Sequence, residues 1–275
     1  MGMKLLYITN DTEVARVADG AGVDEIFVDL ETKSKKERQA GRNTVISNHT
    51  IDDVGRIKSV VSSATVLVRC NPVGDWTPEE VDSVISAGAD TIMLPFFRSA
   101  AEVSHFLACV DRRVDIRLLV ETPDAVEDLD TILSLPEVNR IHIGLNDLHI
   151  AYNSHFMFEP FMNDKLVQIS RVCRRHNVAF GIGGIAHLGS KLQPSPQSLL
   201  AEHRRLGSDS VILSRSFLDL KNVGRLADFS TVFESRVREL RDLELELKAW
   251  DDNEFLSNHL KLKKVIARVV EDLKG

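Results

Sequence analysis

The stretch Arg140-Ile-His-Ile-Gly-Leu-Asn-Asp147-Leu-His149 predicts a short apolar strand that ends in a turn carrying a carboxylate. An earlier stretch, Ile116-Arg-Leu-Leu-Val-Glu121-Thr-Pro123, has the same design, with an acid between an apolar run and a helix start. Apolar runs of this length without clean alternation are typical of parallel strands that are covered on both faces. The two stretches therefore predict consecutive β/α units, each with one acid at the carboxyl end of its strand.

Further apolar runs occur on both sides of these two, and helix-length amphipathic segments separate them. The runs span residues 4–10, 24–31, 65–71, 91–97, 115–122, 140–147, 179–185 and 210–217. Helix starts are indicated at Thr77, Ser99, Thr122 and Ser195. A doubly wound sheet would usually carry a glycine-rich turn after its first strand, and here that turn is Thr9-Asn-Asp-Thr-Glu13. The pattern and the length of 275 residues predict an α/β protein with a (β/α)8 TIM barrel.

Two helical segments are predicted after the eighth strand, over about residues 230–250 and 254–273. The first carries an apolar stripe that includes Phe233, Val237, Leu240 and Trp250. We expect a single domain over residues 1–275, with the barrel in 1–250 and an additional C-terminal helix in 254–273. Because a barrel needs one helix there, the surplus apolar surface predicts either a homo-oligomer formed through these helices or a fold back over the bottom of the barrel.

The composition limits the function classes. Charge is mixed along the chain with a net of −7, which predicts no nucleic-acid partner and no membrane partner. No apolar run approaches a membrane span, and Met-Gly-Met-Lys leads directly into a strand. The cysteines Cys70, Cys109 and Cys173 are far apart and lack CxxC spacing. We therefore expect a reduced, cytoplasmic protein.

Glu121 and Asp147 should be neighbours at the mouth of the barrel, because the carboxyl ends of parallel strands converge there. Two close carboxylates repel each other and need a shared proton or a cation. Oxygen ligands favour Mg²⁺, Mn²⁺ or another divalent cation, which predicts a metal site. The alternative is that each acid caps a helix.

Arg69 ends the third predicted strand in Val66-Leu-Val-Arg69-Cys-Asn71. A guanidinium at this mouth could bind a carboxylate or stabilise an enolate oxygen. The alternative is a structural ion pair with Glu31 or Glu121.

Five segments in order resemble the HpcH/HpaI aldolase and citrate lyase beta-subunit family of the phosphoenolpyruvate/pyruvate-binding barrel superfamily. They are Asp24-Glu-Ile-Phe-Val-Asp-Leu-Glu31, Val68-Arg-Cys-Asn71, Gly88-Ala-Asp-Thr-Ile-Met-Leu-Pro95, Val120-Glu-Thr-Pro123 and Ile143-Gly-Leu-Asn-Asp-Leu148. The resemblance covers about residues 20–217. It implies that Glu121 and Asp147 bind a divalent cation that also chelates a 2-oxo acid, and that Arg69 steadies the enolate oxygen. It also implies that backbone amides around Gly144, Leu145 and Asn146 receive the substrate carboxylate.

The chain departs from the family at the acid/base residue. The aldolase branch usually has a histidine directly after the acid of the second strand, and here that residue is Thr32. His49, in the following loop, is the first candidate for the missing base, because a pKa near 6.5 suits that role. The alternative is a surface histidine. His149 and His187 are weaker candidates.

The function expected from these observations is a metal-dependent carbon–carbon lyase of the class II aldolase type. It would cleave or form a 2-oxo acid through a pyruvate-like enolate. One alternative is a citrate-lyase-like acyl-CoA lyase or thioesterase, with Lys35, Lys36 and Arg38 near the CoA. Another is a barrel without catalysis that binds a ligand, which the missing histidine keeps open.

Overall fold

The computed structural model describes residues 2–33, 47–219 and 223–274. Within these ranges the strands form one closed barrel in the order β1 to β8, and every neighbouring pair is parallel. The strands are β1 (Lys4–Ile8), β2 (Glu25–Asp29), β3 (Thr65–Arg69), β4 (Thr91–Leu94), β5 (Asp115–Val120), β6 (Arg140–Ile143), β7 (Ala179–Ile185) and β8 (Ser210–Leu213). The predicted (β/α)8 TIM barrel is confirmed.

Helices alternate with the strands and surround them. They are α1 (Thr12–Gly20), α2 (Ile51–Lys58), α3 (Thr77–Ser86), α4 (Ala100–Val110), α5 (Pro123–Glu127), α6 (Leu129–Leu133), α7 (Leu145–Ala151), α8 (Lys165–Arg175), α9 (Pro196–Leu206), α10 (Leu226–Leu247) and α11 (Asp252–Lys274), with a 3-10 turn at Glu159–Phe161. None of the helices in the described ranges is long and apolar enough to span a bilayer.

Most predicted helix starts are true N-caps. The hydroxyls of Ser99, Thr122 and Ser195 each accept a backbone N–H from the first turn of the helix that follows. The start at Thr77 differs, because Trp76 is the residue that precedes the helix. The hydroxyl of Thr77 instead accepts the N–H of Gly74 at 2.9 Å, so Thr77 is not the N-cap of this helix.

The interior of the barrel is filled below its mouth. A cluster of buried side chains from five strands occupies the centre: Leu6, Phe27, Leu67, Met93 and Leu119. Nearer the amino ends of the strands, Arg117 donates two hydrogen bonds to the carboxylate of Glu25, at 2.6 and 2.7 Å. Both side chains are almost fully buried. The polar side chains at the carboxyl ends of the strands therefore lie above a tightly packed apolar layer.

The apolar stripe after β8 is covered within the chain. Helix α10 packs against α1, and its Phe233 contacts the rings of Tyr7 and Phe217 at centroid distances of 5.0 and 5.5 Å. Helix α11 packs along α9. Phe233, Val237 and Leu240 of the stripe are buried within the chain, because α10 is the helix that closes the ring between β8 and β1. The homo-oligomer stays a prediction, and the large apolar residues left exposed on α10 and α11 are Leu245, Leu256, Leu260 and Leu273.

Candidate active site

A cavity of about 540 Å³ opens at the carboxyl ends of the strands. It is lined by six residues that were predicted from the sequence to form the site: Arg69, Glu121, Gly144, Leu145, Asn146 and Asp147. His49, the first candidate for the base, does not line it. Barrel enzymes keep their chemistry at this end, because the loops that follow the strands meet there. The cavity is therefore the candidate active site.

Glu121 follows the last residue of β5 and is 4% exposed. Its Oε1 accepts the backbone N–H of Phe96 at 3.1 Å. The cap of the next helix is Thr122, whose hydroxyl accepts the N–H of Ala125 at 3.1 Å. Glu121 is thus not the cap of α5, and the capping alternative fails for this residue.

Gly144 allows Glu121 to lie close to the neighbouring strand. A Cβ atom built on Gly144 would fall 2.7 Å from Oε2 of Glu121 and 2.9 Å from its Cβ, closer than real Cβ atoms approach. Any side chain at position 144 would therefore displace the carboxylate. The glycine between β6 and α7 is thus a requirement of the site.

Asp147 is the third residue of α7 and is 8% exposed. The side-chain amide of Asn146 lies 3.3 Å from its Oδ1. An acid in the first turn of a helix is favoured by the helix dipole, so the structural alternative is compatible with this position. Its lining of the same cavity as Glu121 is what distinguishes it from an ordinary helix-start acid.

The two carboxylates suit a hard divalent cation. Within residues 2–33, 47–219 and 223–274, no cluster of three or more His, Cys, Asp or Glu side chains is arranged to hold a metal ion. Mg²⁺ commonly takes one or two carboxylates from a protein and completes its shell with water and substrate oxygens. The donor set of Glu121 and Asp147 fits that habit, and it fits a zinc site with three or four protein ligands poorly.

Arg69 is held by Asp29. Its Nε and Nη2 donate to the two carboxylate oxygens of Asp29, each at 2.8 Å, and its Nε lies 3.5 Å from Oε2 of Glu31. Burial by itself would lower the pKa of Arg69, but the charges of Asp29 and Glu31, followed by that of Glu121, raise it above its ordinary value. The guanidinium is therefore a permanent cation in the cavity wall. An ion pair exists, but its main partner is Asp29 rather than Glu31 or Glu121, the two residues named from the sequence; Glu31 is the more distant of the two acids in contact.

His49 lies in a second cavity, of about 590 Å³, which adjoins the first. Ile8, Ser214 and Arg215 line both. The Nδ1 atom of His49 accepts the backbone N–H of Asp29 at 3.0 Å. In the neutral ring the proton then belongs to Nε2, so the ring is arranged as a hydrogen-bond donor at that atom.

The weaker candidates lie elsewhere or are not described. His149 has its Nδ1 3.3 Å from the carbonyl of Leu145 on its own helix. His187 lines neither cavity, and burial, followed by the charge of Arg236, lowers its pKa. The residues of the CoA alternative, Lys35, Lys36 and Arg38, lie outside the described residues.

Two residues near the cavity had no role in the sequence analysis. Asp29 is two positions before Glu31, and His142 is two positions before Gly144, so alternation along β2 and β6 places each on an inward face. His142 also lines the cavity. That alternation was the available signal, since the polar residues Glu25 and Asp29 of β2 lie an even number of positions apart, as do Arg140 and His142 of β6.

A sequence model of the family described as HpcH/HpaI aldolase/citrate lyase matches residues 4–182, which is more than half of the chain. A comparison with curated proteins gives no match.

Solved structures share the fold at low identity. An HpcH/HpaI aldolase from Desulfitobacterium hafniense DCB-2 is 18% identical with a TM-score of 0.60, over 84% of this chain and 92% of that one. An HpcH/HpaI aldolase/citrate lyase family protein from Burkholderia cenocepacia J2315 is 16% identical with a TM-score of 0.62, over 84% and 94%. The citrate synthase SbnG is 14% identical with a TM-score of 0.59, over 86% and 95%.

Proposed function

Because this chain belongs to the HpcH/HpaI aldolase/citrate lyase family, we propose that it is a divalent-metal-dependent carbon–carbon lyase. The reaction would cleave or form a 2-oxo acid through a pyruvate-like enolate. The observation that carries the proposal is that two buried carboxylates, Glu121 and Asp147, line one cavity together with the guanidinium of Arg69. Cleavage of a carbon–carbon bond beside a carbonyl leaves negative charge on that oxygen, and fixed positive charge stabilises it.

Glu121 and Asp147 would hold the cation, which we propose to be Mg²⁺, with Mn²⁺ or another divalent ion as alternatives. When bound, such an ion supplies a Lewis acid for the carbonyl oxygen of the substrate. The hydrogen bond from the N–H of Phe96 to Oε1 fixes one oxygen of Glu121. That contact orients the carboxylate before any ligand arrives, which is the usual task of the groups behind a metal ligand.

Arg69 would donate to the enolate oxygen. Asp29 occupies its Nε and Nη2, and within the described residues we find no acceptor for Nη1. The side chain retains 15% exposure and lines the cavity. A guanidinium already oriented by a carboxylate loses little freedom when it binds a second oxygen, which favours this role.

The substrate carboxylate would bind at the turn that begins α7. The N–H of Gly144 already donates to the carbonyl of Val120 at 3.0 Å. The amides that we propose for the carboxylate are therefore those of Leu145 and Asn146, which belong to the first turn and have no partner within the helix. The resemblance to the family implies a carboxylate site at this same turn, which supports the proposal.

His49 remains the candidate acid/base residue. Its place in the adjoining cavity suits contact with the second partner of the reaction, an aldehyde, better than contact with the 2-oxo acid. With Nδ1 occupied by the N–H of Asp29, the ring would meet that partner through Nε2. His49→Gln should therefore lower kcat and change the pH profile while leaving the affinity for the 2-oxo acid unchanged.

The proposal is tested by assaying 2-oxo acid cleavage, and pyruvate addition to a panel of aldehydes, with Mg²⁺ or Mn²⁺ and again after chelation. Glu121→Gln and Asp147→Asn should each lower kcat/KM by at least ~10²-fold, because a neutral amide is a poor ligand for a hard cation. The matched controls are Asp124→Asn and Asp164→Asn. Both aspartates are exposed, and each follows one of the two proposed ligands in the sequence. Both should retain wild-type rates.

Metal binding can be followed without activity. Mg²⁺ or Mn²⁺ with pyruvate or oxalate should raise the melting temperature of the wild type, and not that of Glu121→Gln. Full activity in chelated buffer, or equal activity in Asp147→Asn and wild type, would contradict the metal mechanism. Turnover of acyl-CoA esters without any 2-oxo acid cleavage would favour the lyase or thioesterase alternative. No ligand shift and no turnover would favour the barrel without catalysis.

A further inference from the structure

Strand β7 is irregular where it reaches the cavity. Gly181 pairs with Ser210 and Gly184 pairs with Ile212, so two residues of β7 stand opposite one residue of β8. Gly183, the extra residue, has a φ of +42°. This is a β-bulge, a feature that leaves a backbone group outside the ladder and is common beside active sites. The displaced group needs another partner.

His142 supplies that partner. Its Nε2 lies 3.0 Å from the carbonyl oxygen of Gly183. A carbonyl can only accept, so Nε2 carries the proton and Nδ1 is the bare nitrogen. Burial, followed by the charge of Arg117, lowers the pKa of His142 to about 3, so the ring is neutral.

The neighbouring positions are shaped for this ring. His142 stands directly opposite Gly181 in the β6–β7 register. A Cβ atom on Gly181 would collide with Nδ1 of His142 and with the hydroxyl oxygen of Ser210. The ring can therefore lean across β7 and reach Gly183 only because position 181 is glycine. A bulge, a glycine and a histidine on adjacent strands form one arrangement.

Among the described residues, this arrangement leaves a buried polar atom of His142 unpaired, which destabilises the fold and indicates that the imidazole has a specific role. Nδ1 of His142 is buried and has no hydrogen-bond partner within the described parts of the chain. An aromatic hydrocarbon ring of similar size would fill the same space without an unpaired polar atom. The bond to Gly183 is what the imidazole provides and a phenyl ring would not.

Gly183 contacts the first residue of α7, and this contact supports the start of that helix. The side chain of Leu145 lies on it, since a Cβ atom on Gly183 would fall 2.7 Å from Cδ1 of Leu145. Leu145 and its neighbour Asn146 line the cavity. A contact path therefore runs from the ring of His142 through the carbonyl of Gly183 to Leu145.

We propose that His142 is a positioning residue that fixes the Gly183 bulge and, through Leu145, the turn that binds the carboxylate of the substrate. The part that concerns the bulge is independent of the reaction. The part that concerns the carboxylate rests on the proposed function.

The test compares His142→Gln with His142→Asn. The glutamine amide reaches as far as Nε2 of the histidine and can still donate to Gly183. The asparagine amide reaches only as far as Nδ1 and cannot. Hydrogen exchange is then followed in peptides covering residues 182–185 and 144–148, because exchange reports local opening. We expect faster exchange of both peptides in His142→Asn, and wild-type exchange in His142→Gln. Equal exchange in the two variants would overturn the proposal.

Kinetics give a second readout. The KM for the 2-oxo acid should rise about tenfold in His142→Asn with little change in kcat, and the glutamine variant should restore it. An equal rise in the KM of both variants would contradict the positioning role. If the wild type neither binds nor cleaves any 2-oxo acid, the proposed function fails, while the exchange comparison still decides the role of His142.

Leu145→Ala separates the two contacts and serves if His142→Asn does not fold. It should speed exchange in residues 144–148 and leave residues 182–185 as in the wild type. Wild-type exchange in both peptides would show that Gly183 does not support the turn, and the proposal would be withdrawn.

Discussion

The carboxylate of Asp29 and the guanidinium of Arg69 form a two-point ion pair across β2 and β3, with both N–O distances at 2.8 Å. The two residues are direct partners in the parallel register, so their side chains leave the sheet side by side. Oδ2 of Asp29 also accepts a hydrogen bond from the hydroxyl of Ser47 at 3.0 Å, which adds a second fixed donor to the carboxylate. The orientation of Arg69 is therefore set by the sheet rather than by a ligand.

Asp29→Asn should misorient Arg69 while leaving it in the cavity. An amide offers one acceptor oxygen where the carboxylate offers two, and its NH₂ group would face a donor. We expect kcat/KM for the 2-oxo acid to fall by about 10- to 100-fold, measured by steady-state kinetics, because a transition-state contact is lost.

The matched control for this variant is Asp130→Asn, which removes the acid of a solvent-exposed pair with Arg175. Exposed pairs contribute little, so both activity and stability should stay at wild-type values. If Asp29→Asn also keeps wild-type kinetics, the guanidinium is not oriented by Asp29 in the way its two hydrogen bonds indicate.

Gly144→Ala should disturb the metal site without touching a ligand residue. The added methyl group would fall 2.7 Å from Oε2 of Glu121, so the carboxylate must move. We expect the affinity for Mn²⁺, measured by calorimetric titration, to fall by roughly 10- to 100-fold, the usual effect of displacing a group that orients a metal ligand.

Gly20→Ala is the control for that substitution. Position 20 ends α1, and no atom lies within 4 Å of a Cβ atom built there. This variant should bind Mn²⁺ as the wild type does. Unchanged affinity in Gly144→Ala would mean that the carboxylate of Glu121 can shift without weakening the binding of Mn²⁺. That result is incompatible with its role as a fixed ligand.

His203 should make the protein less stable in mild acid. It is 3% exposed on α9, its Nδ1 lies 2.9 Å from the hydroxyl of Ser208, and burial lowers its pKa to about 4. The unfolded chain has an ordinary histidine pKa near 6.5, so between pH 6.5 and 4 the unfolded state binds a proton that the folded state does not. The free energy of unfolding should therefore decrease as the pH falls through that window, by at most about 1.4 kcal/mol per pH unit.

Urea unfolding at pH 7 and at pH 5 checks this. His203→Gln should flatten the dependence on pH, although His142 contributes with the same sign. The exposed His155→Gln should leave the dependence unchanged. A pH dependence that is the same in His203→Gln and the wild type would show that His203 is not buried as a neutral ring.

The outline of the fold and the main residues of the cavity could be predicted from the sequence, for a physical reason. Apolar runs followed by helix starts indicate the β/α order, and an acid directly after such a run must lie at the mouth. Glu121 was found in this way. Asp147 was predicted at the end of its strand, but it lies in the first turn of α7, beyond the end of β6 at Ile143, and still lines the cavity. The partner of Arg69 was predicted as Glu31 or Glu121, and Asp29 was missed, because the partner depends on the register of β2 against β3.

The positions of other residues could not be predicted from the sequence, for different reasons. His49 sits in a loop, and the direction of a loop does not follow from periodicity, so its place in the adjoining cavity could not be foreseen. Inside the barrel, Arg117 and His142 stand within apolar runs, where composition alone suggests only core. Their partners, Glu25 and the bulged Gly183, come from strands that are distant in sequence.

The layer of Leu6, Phe27, Leu67, Met93 and Leu119, with the pair of Glu25 and Arg117 beneath it, makes the barrel a cup with a closed base. Molecules that react there have to arrive and depart through the same opening. If two reactants bind one above the other in this cavity, we expect the deeper one to enter first and to leave last. That expectation follows from how the interior is packed, before any detail of the chemistry is considered.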